Sequence, residues 1–365
     1  MLFRLLSENM SLEEFRKQIN DVDDELVKLL NERAQIVVEI GKLKNKSGKS
    51  VYAPDRESEV LKKVSRQNKG PLPDKCLIAI WRELMSGSFF LEKPMRIGYL
   101  GPEGSFTHTA AHLKFGQSVE YDSLMDIVSI FQEVSKRHCD LGVVPVENSA
   151  GGGVIETLDS LIEFDVKICN EVLMTIHHNL LANCPIDKIE KIYSKPEVFA
   201  QCRNWLSATF KEAITIPVAS TAKAAQMAAA EENAAAIGST IAAELYGLKI
   251  ICEQVEDMVN NVTRFLVISN DDAKPTGDDK TVITFSTGHK VGALADVLDV
   301  FRKYNINMTN IGSRPSKNKQ WEYVFFVDFV GHRLEDHVAK GIEEAGKHCI
   351  ALSILGSFPR ATEVL

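Results

Sequence analysis

Between residues 12 and 43, apolar side chains recur three and four residues apart: Leu12, Phe15, Ile19, Val22, Leu26 and Leu29, then Ile36, Ile40 and Leu43. That spacing is the heptad of a supercoiled helix and excludes a strand, whose side chains alternate from face to face. Ser11-Leu-Glu-Glu14 is a capping box, so the helix starts there. From 11 to about 44 it would be roughly 50 Å long, and a helix of that length needs a partner along its stripe. Arg33 stands where the heptad calls for an apolar residue. A cation in a helix seam is costly unless an anion meets it. Lys44, eleven residues on, faces the same way, whereas Arg16, seventeen residues before Arg33, points to the flank of the seam. One helix does not readily aim Arg16 and Arg33 at one pocket; two antiparallel copies can. The plainer alternative is a coiled coil whose odd arginine pairs with a glutamate.

After a turn at Asn45 to Ser50, a second helix opens near Pro54, and a third runs from Asp74 to about Leu91. Arg16, Arg33, Lys44, Arg56, Glu57, Ser88 and Glu92 fall in the order and spacing of the small all-helical chorismate mutases, which this segment resembles. The resemblance implies an intertwined homodimer in which Arg16 reaches the other subunit's pocket. It assigns Arg16, Arg33, Arg56, Glu57 and Ser88 to chorismate binding, and Lys44 and Glu92 to the chemistry. An aspartate that some members carry is Ala53 here, and a position often occupied by glutamine is Glu92. The alternative for Glu92 is a solvated residue at a helix end, beside Lys93-Pro94.

A chain of 365 residues holds more than this rod. Leu141 to Gly153 (LGVVPVENSAGGG) opens as an apolar, β-branched run, the look of a strand buried on both faces. It stops at Glu147, Asn148 and Ser149, and three glycines precede a helical pattern. Polar groups and bare backbone N–H groups at the end of an inner strand suit a small anion; an ordinary strand-to-helix loop is the other reading. Around this stretch, short strands alternate with helices, which argues an α/β architecture. Val166 to Ala182 reads as one long strand crossing to a second lobe, and Leu248 to Glu256 as the return, so that a cleft lies between two lobes. Helices are expected over 196–206 and 220–230.

Gly101-Pro-Glu-Gly-Ser-Phe106, the Val-Pro-Val-Glu-Asn-Ser run, Pro196 to Gln201-Cys202, Ser220-Thr221 and Thr263-Arg264-Phe265 resemble, in this order, the prephenate dehydratases. The resemblance implies a two-lobed, periplasmic-binding-protein-like fold with its site in the cleft. Thr263 would be catalytic, with Asn148, Ser149, Gln201, Arg264 and Phe265 tied to the substrate. No cofactor is demanded. Loss of CO₂ and of the ring hydroxyl gives an aromatic ring, and the protein need only orient the dianion and help hydroxide leave. Thr263 can donate to that hydroxyl, while Arg264 and the glycine N–H groups can hold carboxylates. His108 and His112 have the spacing of helix ligands for a metal, but with no third ligand they read as core or surface residues. Cys202 reads as packing rather than a nucleophile.

Ser269 to Asp279 is polar and reads as a linker. Beyond it the order strand, helix, strand, strand, helix, strand is ferredoxin-like. Gly292-Ala293-Leu294 and Gly312-Ser313-Arg314-Pro315 resemble the phenylalanine-binding motifs of the ACT regulatory domain, in which a glutamate usually stands where Gly312 does. The divisions expected are 1–93, 94–271 and 280–365: an all-α three-helix domain, a two-lobed α/β domain and an α+β ferredoxin-like domain. Together the three resemblances imply the bifunctional chorismate mutase–prephenate dehydratases of phenylalanine biosynthesis, with L-phenylalanine as feedback inhibitor. Two further readings remain: a ligand sensor with no catalysis, and a dehydratase whose rod only dimerises.

Charge and cysteines bound the rest. A net charge of −8 without a basic block argues against nucleic acid. Seven scattered cysteines fit a reducing, cytoplasmic setting without structural zinc, and no run is long enough to span a membrane.

Overall fold

The computed structural model describes residues 11–47, 51–258, 260–315 and 323–365. Residues 1–10, Gly48 to Ser50 of the first turn, and Trp321-Glu322 at the start of an expected strand lie outside these.

The rod is three helices: α1 (Leu12–Ser47), α2 (Pro54–Gln67) and α3 (Asp74–Glu92). The capping box forms, with Ser11 N donating to Glu14 Oε2 at 2.7 Å and Glu14 N to Ser11 Oγ at 3.3 Å. Helix α1 runs beside α3, with Val37 and Gly41 buried. Glycine is required at that crossing, because a Cβ at Gly41 would lie 2.8 Å from Glu92 Cα. The nine stripe residues stay between 37% and 68% exposed in the single chain. The three-helix unit thus buries one edge of α1 and leaves its heptad face open.

The middle region has two sheets. The first contains β1 (Arg96–Leu100), β2 (Glu120–Leu124), β3 (Leu141–Asn148), β5 (Lys167–Thr175) and β11 (Val262–Ser269), in the order β2-β1-β3-β11-β5, with the short β4 (Gly152–Gly153) folded back on β3. Helices α4 (Phe106–Phe115), α5 (Ile127–Ser135) and α6 (Ile155–Glu163) belong to the same lobe. The second lobe's sheet holds β6 (Asn179–Ala182), β7 (Lys191–Ser194), β8 (Ile214–Pro217), β9 (Ala234–Gly238) and β10 (Lys249–Cys252), in the order β10-β6-β9-β7-β8. Helices α7 (Pro196–Gln201), α8 (Arg203–Thr209), α9 (Thr221–Ala229) and α10 (Thr240–Tyr246) belong to it.

Three expectations change here. The long strand over 166–182 is two strands, since Ile176 N bonds to Asn261 O and Val255 N to His178 O, both at 2.7 Å. The two crossing segments thus bond to each other rather than to a sheet neighbour. On the return only β10 is a strand, and residues 253–258 and 260–261 are without regular structure. The helix over 196–206 breaks at Cys202, because Asp257 accepts from Asn204 N at 2.9 Å and Trp205 N at 3.1 Å and so caps a new helix.

The C-terminal module is β12 (Asp279–Ser286), α11 (Ala293–Lys303), β13 (Met308–Pro315), β14 (Tyr323–Val330), α12 (Asp336–Gly346) and β15 (Ala351–Pro359), an antiparallel sheet in the order β13-β14-β12-β15. It does not hang on a loose linker. Val282, Phe326, Leu355 and Phe358 share one apolar core with Val144, Val146, Ile168, Leu266 and Ile268 of the first lobe. Strand β15 approaches β5 so closely that a Cβ at Gly356 would lie 2.1 Å from Ile168 O. The connecting residues are drawn in as well: Ala273 is buried, and Thr276 N and Gly277 N donate to Asp279 Oδ2 at 2.8 and 3.0 Å.

Candidate functional sites

Two clusters of polar side chains form, one in the rod and one between the lobes. In the rod, Arg33 Nη1 donates to Ser88 Oγ at 2.7 Å, and Ser88 Oγ donates to Leu84 O at 2.6 Å. One turn further along α3, Glu92 Oε2 pairs with Lys44 Nζ at 2.7 Å, and Lys44 also reaches Val51 O at 3.0 Å. Arg33, Lys44, Ser88 and Glu92 therefore come together on the α1–α3 seam. The cation in the heptad is met by a hydroxyl and a carbonyl, not by the anion expected of it.

The other three expected mutase residues are elsewhere. Arg16 and Arg56 are exposed and pair, among the described residues, with Glu13 at 3.3 Å and Glu59 at 2.5 Å. Glu57 departs most from expectation. Its carboxylate takes Lys114 Nζ of α4 at 3.0 Å and Tyr52 OH at 3.0 Å, and Asn170 Nδ2 of β5 donates to the same phenol at 2.8 Å. Glu57 therefore ties the rod to the first lobe rather than facing Arg33 and Lys44. On a helix its facing is fixed by its neighbours, and nothing local in the sequence names Lys114 as its partner.

Between the lobes the cluster is built on the β3–β11 ladder, where Thr263 pairs with Asn148 and Arg264 with Glu147. The next rung skips a residue: Phe265 pairs with Pro145, and Val146 is the extra residue of a bulge. Val144 and Val146 both pack toward the C-terminal module. Plain alternation would send Asn148 to that side too; the bulge re-aims it onto the face of Thr263. Asn148 is fully bonded there. Its Oδ1 accepts from Ala150 N and Gly151 N, both at 2.9 Å, which fixes the amide orientation. Its Nδ2 donates to Thr263 Oγ1 and Asn261 Oδ1, both at 2.8 Å. Thr263 Oγ1 is thus an acceptor in this pair, and its own O–H finds no acceptor among the described residues. A hydroxyl so placed has a proton to give.

The chain of bonds continues into the second lobe. Asn261 Nδ2 lies 3.4 Å from Gln201 Oε1, and His178 Nε2 lies 2.8 Å from the same oxygen. Burial pushes the His178 pKa down, so the ring is neutral at neutral pH, with Nε2–H turned to Gln201. Asn148, Gln201 and Thr263, expected from the sequence, do converge. Asn261 and His178 were not singled out; Asn261, two residues from Thr263 on the same extended segment, shares its face.

Four other expectations are corrected. Arg264 is on the opposite face of β11 and is not free to take a carboxylate: Nε donates to Glu171 Oε2 at 2.7 Å and Nη1 to Asp328. Burial opposes its charge, but Asp328 and Glu171 more than offset this and raise its pKa. Phe265 is 1% exposed and belongs to the core with Tyr99, Val143 and Val172. The Ser149 hydroxyl is taken up by backbone, donating to Asn260 O and accepting from Val262 N, both at 3.0 Å. The glycine loop spends two N–H groups on Asn148 rather than on an outside anion.

His108 and His112 are stacked on Tyr99 and Tyr121, at 4.6 and 4.2 Å, and burial pushes His108 down to about 4. Burial likewise pushes the Cys202 thiol up to about 12, so it remains protonated and unreactive at neutral pH. Among the described residues no group of three or more His, Cys, Asp or Glu is placed to hold a metal ion.

In the C-terminal module the two motifs lie at one end of the sheet, since Arg314 and Ser286 are both register partners of Val324. Gly292 caps α11 with φ +81°, a backbone only glycine adopts cheaply. Ala293 is buried and Leu294 half-buried, while Gly312, Ser313 and Pro315 are exposed on the edge strand β13. Arg314 differs from its neighbours: its Nη2 pairs with Asp159 of α6 at 2.9 Å.

Comparison with known proteins follows this division. Residues 15–93 match the chorismate mutase type II family, 97–273 the prephenate dehydratase family and 281–346 the ACT domain. The bifunctional chorismate mutase/prephenate dehydratase of Aquifex aeolicus is 44% identical, over 96% of this chain and 98% of that protein. That of Pseudomonas aeruginosa is 41% identical, over 98% of this chain and all of that one. Among solved structures, a prephenate dehydratase from Arthrobacter aurescens in complex with L-Phe has a TM-score of 0.68 at 30% identity, covering 73% of this chain and 90% of that one. With its helical rod, two-lobed α/β region and ferredoxin-like module in this order, the chain belongs to the bifunctional chorismate mutase/prephenate dehydratase family.

Proposed function

We propose that the chain rearranges chorismate to prephenate in the rod, at 1–93, and converts prephenate to phenylpyruvate between the lobes, at 94–271. L-Phenylalanine bound to the module at 280–365 inhibits the second step. The observation that carries the dehydration is the Asn148–Thr263 bond, because it leaves Thr263 a hydroxyl proton to donate. As CO₂ leaves and the ring becomes aromatic, Thr263 donates to the departing ring hydroxyl, and Asn148 holds the threonine oxygen in place. Asn261, backed from the second lobe by Gln201 and neutral His178, fixes that pair.

The rearrangement is pericyclic and needs no base. It needs a compact chorismate conformer and stabilisation of charge on the breaking ether oxygen. Lys44 supplies one hydrogen bond, and the carboxyl group of Glu92 the other; Arg33 and Ser88 sit on the same seam for the substrate's polar groups. The site is completed in a homodimer. Arg16 is seventeen residues, about 25 Å, from Arg33 along α1, and the open stripe of α1 is the face a second copy covers. The unpaired cysteines fit a cytoplasmic setting. Purified protein given chorismate alone tests the whole reading: prephenate should appear first and phenylpyruvate after it. Prephenate that accumulates without phenylpyruvate would leave the rod catalytic and the cleft not.

A further inference from the structure

We propose that Glu147 and Arg264 are positioning residues for the dehydration, through which the C-terminal module sets the contact between Asn148 and Thr263 from the other side of the sheet. The proposal rests on the reading of Asn148 and Thr263 as the working pair.

The geometry is that of two facing rungs. On the β3–β11 ladder, Thr263 pairs with Asn148 and the next rung is Arg264 with Glu147. Successive residues of a strand face opposite ways. Phe265 and Val267 therefore follow Thr263 into the core under β1, while Leu266 and Ile268 follow Arg264 toward the C-terminal module. On the module's sheet, Asn310 of β13 and Asp328 of β14 are register partners. This second rung sits on the first: Asn310 Nδ2 donates to Glu147 Oε2 at 3.2 Å, and Arg264 Nη1 donates to Asp328 Oδ2. Each polar side chain of the module's rung thus holds one residue that is covalently next to a member of the working pair.

The Arg264–Asp328 half of the link is buried, and the Asn310–Glu147 half lies at the exposed edge of the contact. The side chains of Arg264, Asp328 and Glu171 are 11%, 7% and 0% exposed, so solvent does little to loosen them. Glu171 also takes Lys280 of β12 at 3.0 Å, which brings a third strand of the module to the same cluster. The remaining nitrogen of the fork, Arg264 Nη2, is buried without a partner among the described residues. Beside it lies a cavity of about 210 Å³, lined by Glu147, Arg264, Asn310, Gly312 and Asp328 among others. The two rungs therefore have room to shift, and Arg264 has a donor spare for a second arrangement. Gly312 belongs to the expected effector motif, and that motif shares β13 with Asn310. Farther along β13, Arg314 grips Asp159 of α6, the helix that follows the glycine loop and so the backbone that holds Asn148. An effector that favours a displaced β13–β14 pair would pull on Glu147 and Arg264 and alter the Asn148–Thr263 geometry. A misplacement of about 1 Å at reacting groups is enough to slow a reaction on the order of a hundredfold. Coupling then needs no contact between effector and substrate.

The test is made on the full-length protein with Asp328→Asn, which keeps the shape and removes the charge, and with Asn310→Ala, which removes the bond to Glu147. Dehydratase kcat and KM for prephenate, mutase rate, calorimetric binding of L-phenylalanine and the extent of its inhibition are read for each. Asp328→Asn should lower dehydratase kcat about tenfold with KM within about twofold. Its mutase rate should be unchanged. Phenylalanine should still bind but inhibit less than half as much as in the parent. Asn310→Ala should move the same quantities in the same direction by less, and stands as the test if Asp328→Asn does not fold. A raised KM at constant kcat would overturn the proposal, since the cluster would then act on substrate binding. So would parental kcat and inhibition in both variants. A parent that makes prephenate but no phenylpyruvate would remove the dehydratase reading itself, and this proposal with it.

Discussion

In the two-lobed region, five polar side chains from both lobes are bonded into one part-buried cluster by a single copy of the chain. In the rod, four of seven expected residues gather on one seam, while Arg16 lies far along α1 and a face of nine apolar side chains stays open. The contrast follows from shape. Two lobes wrapped around crossing strands enclose a site by themselves. Three helices are too thin to enclose one, and fully covering a side chain such as Leu26 or Ile19 is worth about 1.5–3 kcal/mol. The first site is a property of the chain; the second, as proposed above, is a property of two chains.

The sharpest way to separate the regions is Thr263→Ala. Loss of a positioned proton donor should slow phenylpyruvate formation by about 10²–10⁴-fold, while prephenate formation from chorismate stays within about twofold of the parent. An assay that follows both products in one reaction decides it, and parental dehydration in the variant would remove Thr263 from the mechanism.

The claim that the rod's site spans two copies can be broken by mixing. Arg16→Ala and Arg33→Ala should each be nearly inactive as mutases. A mixed dimer of the two has one intact and one doubly damaged pocket, so an equilibrated equal mixture should recover about a quarter of the parental rate. No recovery in dimers verified as mixed would put both arginines in one chain's pocket, against the distance along α1.

Glu57 sharpens the boundary between the regions. If it is an interdomain tie, Glu57→Ala should strand Lys114 and cost about 3 kcal/mol of stability in denaturant unfolding. Mutase KM for chorismate should change less than about threefold. A KM raised tenfold or more with unchanged unfolding would return Glu57 to the substrate.

The smallest effect is expected at Glu92. A carboxylate donates only when protonated, whereas an amide donates at any pH. Glu92→Gln replaces the anion that pairs with Lys44 at 2.7 Å by a neutral amide able to donate to the ether oxygen. It should change the mutase rate modestly and leave dehydratase activity as in the parent. A mutase rate identical to the parent's would leave Glu92 as a structural partner of Lys44.

Wherever a local period or a local bond decided the matter, the sequence was readable. The heptad stripe placed α1, Ser11 and Glu14 placed its start, Pro54 opened α2, and the order of strands and helices past 280 gave the ferredoxin-like module. Misreadings fell where a partner distant in sequence decides. Cys202 breaks a helix because Asp257 caps the next one. Residues 176–178 leave the sheet because 255 and 261 take their hydrogen bonds.

What the sequence determined by itself was the set of elements, their order, and the identity of the groups available for chemistry, because side-chain period, capping and turn residues act within a few positions. Only the tertiary structure decided which of those groups meet. One extra residue at Val146 turns Asn148 toward Thr263, and simple alternation turns Arg264 away from the carboxylate it had been assigned, while Phe265, on the face of Thr263, is taken up by the core. Glu57 belongs to Lys114 because two domains pack there. Facing and partnership depend on register and packing between segments 57 to 115 residues apart, and no local pattern carries that information.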